Sequence, residues 1–476
     1  MIKFRRGDID ATFGVLFDGI VKVIASIGIM SGIIGFNNSL IFTKIIPGVC
    51  IAVALGQLFV WKLSSNLKKV EKRDDVVALP TAVTAGRLFV WLFSIMLPVY
   101  FETKDPMLSL ASGIGANIVS SVLSILIAFI SPFLLKVIPN VAIFGGLVGG
   151  SLAWLTFASL KDMFIYPEIA FVCFFIIIII IINFGRIKTK IPPILISIFA
   201  GIIVGILTKV ITAEGIFQTF ENIGFNMIKF DISLIPQGIT LALKYISIIF
   251  AWSLLEAIVS IQGVQQAISV GDNFNITKTL VGINLISLIS GLFFNPFPIG
   301  ITWGYPTWKE VRATSNYALI IASIYIFLGL TGMIAVVTAI IPVSSVLPIL
   351  VFIGLISFQG TLSNTDSKYF GAIALAMVFP IIEFFGGVAG NNMPESLKIL
   401  MYGSMIVAII WASIVSLAID GNFKKMSLFF MGGAICTFFG LIHSPILKIN
   451  ANFSLTLCYL LLAAVFYIFG NKLTVE

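Results

Sequence analysis

Two carboxylates stand where the chain should be apolar. Glu256 lies in the middle of FAWSLLEAIVSIQGVQQA, and Asp18 in the middle of FGVLFDGIVKV. An ionised side chain at membrane depth is costly, so residues of this kind bind substrate, carry protons or pair with a base. Both are proton-coupling candidates, and Glu256 is a candidate ligand for a polar substrate as well. Asp18 has an equal structural reading, because Lys22 follows one helical turn later and can neutralise it. Gln262 and Gln265 continue the Glu256 run, where their amides either hydrogen-bond substrate or bridge helices. Glu383, in FPIIEFFGG, is a further intramembrane acid whose simpler reading is a carboxylate near the end of a span.

A second set of residues sits in two matching phrases, LPTAVTAGR at 79–87 and FPIGITWGY at 297–305. Pro80 aligns with Pro298, Ala82 with Gly300, Thr84 with Thr302 and Gly86 with Gly304. Pro lacks an amide proton and Gly favours no helix, so the phrases predict extended backbone that turns helical only after about Gly86 and about Gly304. Such backbone cannot face lipid and must be buried or line a watery cavity. Two half-helices starting there would present free N–H groups and positive dipole ends to a polar or anionic small molecule. Thr84, Thr302 and Trp303 lie within the breakers, and Arg87 and Tyr305 open the two helices. All five are substrate-binding candidates. A cation at a helix N-terminus opposes the dipole. Arg87 therefore either binds an anionic substrate or pairs with Glu256 or Asp18.

Other chemistries are poorly supplied. One histidine, His443, and four scattered cysteines, Cys50, Cys173, Cys436 and Cys458, offer no metal cluster and no histidine triad. We expect no metal, no cofactor and no enzyme activity.

These residues must be positioned by membrane helices. The 476-residue chain is 59% hydrophobic and 11% charged, with a mean hydropathy of +1.11, which is outside the range of soluble domains. About sixteen apolar segments, each near the roughly 20 residues of a span, follow one another with short polar links. The net charge of +8 gathers in alternate loops, including KFRR at the start, 62–73, 186–190 and Lys424–Lys425. That pattern places both termini in the cytoplasm and argues against a nucleic-acid partner. The expected location is the cell membrane, with lipid and a small-molecule substrate as partners.

The phrases also report on architecture. LFDGIVKVI (16–24) matches LLEAIVSIQ (254–262) in the first and eighth segments, as the two breakers match in the third and tenth. A repeat of seven spans forces its second copy upside down. The expected organisation is a first repeat at 1–213, an amphipathic interfacial linker at 214–239, a second repeat at 240–419 and additional spans at 420–476.

The stretch from Glu256 to Lys309 resembles nucleobase permeases of the xanthine/uracil and nucleobase/ascorbate superfamily, closest to adenine/hypoxanthine/guanine permease-like branches. RGDIDATFG (6–14), FSIMLPVYF (93–101), SVGDNFNITKTL (269–280), ISGLFFNPFP (289–298), GYPTWK (304–309) and FFGLIH (438–443) carry the resemblance in order. It implies an all-α polytopic fold, a 7+7 inverted repeat with core and gate domains and discontinuous third and tenth segments, plus two extra C-terminal helices. It also implies a homodimer, and a nucleobase-like solute, a purine, carried by alternating access with Glu256 on the base. Where the family often has a second acid in the tenth span, this chain has Tyr305, and Arg87 adds positive charge to the third. The alternative is an anion transporter of the sulfate-permease type on the same fold.

Overall fold

The computed structural model describes residues 5–32, 34–179, 193–226, 230–302, 304–363, 365–389, 392–446 and 448–470. The basic loop 186–190 and Trp303 lie outside them. Among the described residues, seven helices are long and apolar enough to cross a membrane, or up to nine if each of two sharply bent helix pairs is one span. Shorter apolar helices such as Asn140–Ser151, Pro167–Ile177 and Phe453–Phe469 make up further segments.

The chain divides into two compact units, each drawn from both halves of the sequence. The first comprises 1–129, 161–243 and 256–349. Here the helix Asn38–Glu71 packs on Tyr317–Thr331 and Ile276–Ser290, and Arg6–Gly32 packs on Tyr317–Thr331. Asn37 and Asn275 cap two of these helices, accepting from the N–H groups of Leu40 and Lys278. Enclosed among these helices are two three-residue strands, β1 (Thr81–Val83) and β2 (Ile299–Ile301), every residue of them buried. They are the two breaker phrases, and they pair with each other.

The second unit comprises 130–160, 244–255 and 350–476. Its helices Asn140–Ser151, Phe370–Ala389 and Ser404–Ile419 pack together, and Phe423–Phe438 forms a hairpin with Phe453–Phe469 through the stacked rings of Phe430 and Phe466. Glu395–Met401 and Ser404–Ile419 meet at 81°. The Ser404 hydroxyl at that bend donates to Glu383. His443 grips the same bend from another side, its backbone N–H on the Tyr402 carbonyl at 3.0 Å. Its ring bridges Ile399 O at 3.2 Å and the Tyr459 hydroxyl at 3.1 Å. The lone histidine is thus a buried packing group at a helix bend.

Candidate functional site

The register of the strand pair follows from the repeat. Ala82 faces Gly300, flanked by Thr81 with Ile301 and Val83 with Ile299. Ala82 and Gly300 are also equivalent positions in the two phrases, so a local two-fold axis passes between them. The bonds at the two ends obey it: Thr84 N–H donates to Pro298 O at 3.3 Å, and Thr302 N–H donates to Pro80 O at 2.9 Å. Two copies of one phrase, one inverted, meet as an antiparallel pair, and each satisfies the backbone groups that proline leaves the other.

Buried amides brace this crossing. The Gln57 side chain donates to Thr81 O. Asn117 donates to Ser287 O at 3.1 Å and Asn295 O at 2.9 Å, while Ser287 Oγ accepts from Ile299 N–H at 3.0 Å. None of these residues figured among the sequence candidates. The available signal was a lone amide within an apolar run, as in AVALGQLFV for Gln57 and GIGANIVSS for Asn117.

After β1 the chain turns helical at Ala85 and runs to Thr103, with a π-helical turn at Trp91–Met96. Thr84 is extended, and its hydroxyl does not cap the helix, so the first-turn N–H groups carry no side-chain cap. Three residues in, Arg87 is 1% exposed. Its Nε donates to Thr84 Oγ1 at 3.2 Å, Nη1 to Ser120 Oγ at 3.3 Å and Nη2 to Ile299 O at 3.1 Å. A guanidinium has five N–H groups. Three are engaged, and the other two find no acceptor among the described residues.

Glu256 is 7% exposed and approaches β2 where it has no side chain. A Cβ at Gly300 would lie 3.5 Å from Glu256 Oε1 and from Ser260 Oγ, and 2.5 Å from the Thr84 methyl. Among the described residues no donor lies within hydrogen-bonding distance of the Glu256 carboxylate. Arg87 and Glu256 act on each other's charge through space, without forming a direct ion pair. The crossing thus holds a buried guanidinium and a buried carboxyl group, each with hydrogen-bonding capacity that no described residue fills. Asp18, half-buried, is bonded to Lys22 Nζ at 2.6 Å.

The remaining candidates are placed differently. Thr302 is half-buried and its N–H is spent on Pro80 O. Gln265 is exposed, and nothing is described of the Gln262 side chain. It is Gln266 that reaches the breaker, accepting from Gly304 N–H at 3.0 Å where the chain takes φ +107°. Only glycine enters that conformation without strain. Tyr305 is fully buried, its hydroxyl donating to Asp272 and accepting from Val77 N–H at 3.2 Å. Asp272 also binds Lys309 Nζ at 2.8 Å and Arg73 Nη2 at 2.8 Å. In the same cluster the Arg73 guanidinium, bonded to Asp75, holds that carboxyl below the usual carboxylate range. Among the described residues the tenth segment has one short helix, Tyr305–Glu310, so the two half-helices are not equal. Among the described residues no cluster of metal-ligating side chains is found.

No family model matches the chain, and no curated protein matches it in sequence. Solved structures do. The transmembrane domain of the cyanobacterial bicarbonate transporter BicA superposes with a TM-score of 0.51 at 16% identity, covering 87% of this chain and 98% of that one. The murine anion transporter Slc26a9 in its inward-facing state superposes with a TM-score of 0.54 at 10% identity, covering 88% of this chain and 69% of that one. The chain has the 7+7 inverted-repeat transporter fold. It is a multi-pass membrane protein of transporter architecture. The nucleobase-permease assignment is corrected: the structural neighbours are anion transporters of the SLC26/SulP type, not nucleobase/ascorbate permeases. The two groups share this fold. The aligned strings, mostly prolines, glycines and aliphatics, record helix breaks and packing common to the fold, and not a base-binding pocket.

Proposed function

We propose that the chain is a secondary transporter of small inorganic or carboxylate anions, working by alternating access in the cell membrane with both termini in the cytoplasm. One observation carries this reading. Arg87 is buried at the first turn of the Ala85–Thr103 helix, beside the strand crossing, with two N–H groups that find no acceptor among the described residues. Burying a cation against a helix dipole is unfavourable unless an anion joins it. An oxyanion there meets a planar fork of donors and the uncapped N–H groups of the first turn, which match paired oxygens. The fold shared with BicA and Slc26a9, whose names record bicarbonate and anion transport, agrees with this assignment.

Thermal unfolding of the purified protein tests it. A small oxyanion at a hundredfold excess over its Kd stabilises the folded state by about 2.7 kcal/mol. The midpoint should rise with at least one of bicarbonate, sulfate and nitrate, and the rise should vanish in Arg87→Ala. A midpoint unmoved by all three, or a rise that survives the substitution, would refute the proposal.

A further inference from the structure

We propose that Lys22 is a second anion contact of the crossing and that Asp18 is its internal place-holder, a carboxylate that an incoming anion displaces. The inference rests on the anion-transport reading and adds an affinity-setting pair to that same site.

The repeat fixes where the pair stands. Aligning 16–24 with 254–262 puts Asp18 at the position of Glu256, Gly19 at that of Ala257 and Lys22 at that of Ser260. In the second repeat, Glu256 Oε1 and Ser260 Oγ each lie 3.5 Å from where a Cβ on Gly300 would be. The two-fold relating Gly300 to Ala82 then brings the helix Arg6–Gly32 against Ala82. The contact is there: a Cβ on Gly19 would lie 3.6 Å from that of Ala82. Lys22 follows Gly19 by three residues, on the same face of the helix. Its charge also acts through space on Glu256.

The pair is unequal in a way that suits exchange. The Lys22 side chain is 6% exposed and that of Asp18 is 35% exposed. A carboxylate this open in the middle of a span faces water and not lipid. An anion arriving through that water meets Asp18 first and finds the ammonium behind it. An ammonium has three N–H donors, and the bond to Asp18 at 2.6 Å is the one that Lys22 makes among the described residues.

A second group beside the pair lacks a partner. The Tyr325 hydroxyl, on a side chain 1% exposed, abuts Gly19 and has no hydrogen-bond partner among the described residues. The charge of Asp18 reaches it through space. A buried hydroxyl left unmatched is costly, and an anion that takes the place of Asp18 also offers it an acceptor. A pair that only neutralises itself, away from the path of the anion, predicts no change in affinity when Asp18 is removed. A place-holder predicts a gain.

The test is isothermal titration of bicarbonate, sulfate and nitrate into the purified wild type and its variants. For the anions that the wild type binds, Asp18→Asn should bind about tenfold more tightly, because one charge-assisted hydrogen bond is no longer competed for. The double variant Asp18→Asn/Lys22→Met should lose that gain. An Asp18→Asn protein that binds no more tightly than the wild type, or a gain that persists in the double variant, would overturn the inference while leaving anion transport standing. If Asp18→Asn does not fold, Lys22→Met decides: binding about tenfold weaker than wild type supports the inference, and wild-type affinity overturns it. A wild-type protein that binds none of the three anions would overturn both readings.

Discussion

Arg87→Ala should lower anion affinity by at least about 100-fold. The side chain has two N–H groups to offer a ligand, and each hydrogen bond to a charged group is worth about 1.5–3 kcal/mol, with 1.4 kcal/mol per factor of ten. The same substitution removes a cation whose charge acts on the buried carboxylate of Glu256 and the three hydrogen bonds it makes, so it should also lower stability. Arg87→Lys separates the two effects. It keeps the charge and loses the planar fork, so it should fold like the wild type and still bind anions about tenfold more weakly. Titration of both variants, with unfolding midpoints measured alongside, checks this. Wild-type affinity in a well-folded Arg87→Ala protein would remove Arg87 from the site.

The second large effect is expected at Gly300, where the cause is space. A Cβ there meets the Thr84 methyl at 2.5 Å, closer than carbon atoms approach. Thr84 also accepts from Arg87 Nε at 3.2 Å, so pushing it away misaims the guanidinium. Gly300→Ala should cost about 1–3 kcal/mol through overpacking and slow transport about tenfold. In Gly300→Val the added methyls also fill the gap before Glu256 and Ser260, and uptake should fall to the level of empty vesicles. Size-exclusion profiles separate a blocked site from a misfolded chain. Wild-type uptake in Gly300→Val would show that substrate does not approach this face of β2.

The parts of this account differ in how far they could be read from residue order. The breaks at LPTAVTAG and NPFPIGITWG were legible because proline and glycine act locally, and the structure has extended backbone there, with helix beginning at Ala85 and Tyr305. Their pairing was implicit in the repeat. An inverted copy of one phrase can meet the other only antiparallel, and Ala82 opposite Gly300 is that symmetry at work.

Long-range partners were not legible. Nothing in TWGY announces that the Tyr305 hydroxyl is tied to Asp272, 33 residues earlier in the chain. Placed so, Tyr305 is a strut between β2 and a charged loop, a different part from the substrate contact its position in the phrase suggested. Gln266, and not Gln265 next to it, reaches Gly304, because a shift of one residue on a helix turns a side chain by about 100°. The family was misjudged for a related reason. Strings such as ISGLFFNPFP are set by close packing and helix breaks, which transporters of one fold share whatever they carry. The chemically distinctive residue was Arg87. Its burial and its partners in Thr84, Ser120 and Ile299 give it more weight than the strings that pointed to nucleobases.

The most direct test of anion transport through this crossing is time-resolved uptake of labelled bicarbonate by the wild-type chain in sealed proteoliposomes, compared with empty vesicles of the same lipid. We predict uptake that saturates with bicarbonate concentration, is competed by excess unlabelled anion, and accelerates when the vesicles are preloaded with bicarbonate, as a carrier working by alternating access requires. Uptake indistinguishable from that of the empty vesicles, in protein shown to be folded and inserted, would contradict the account.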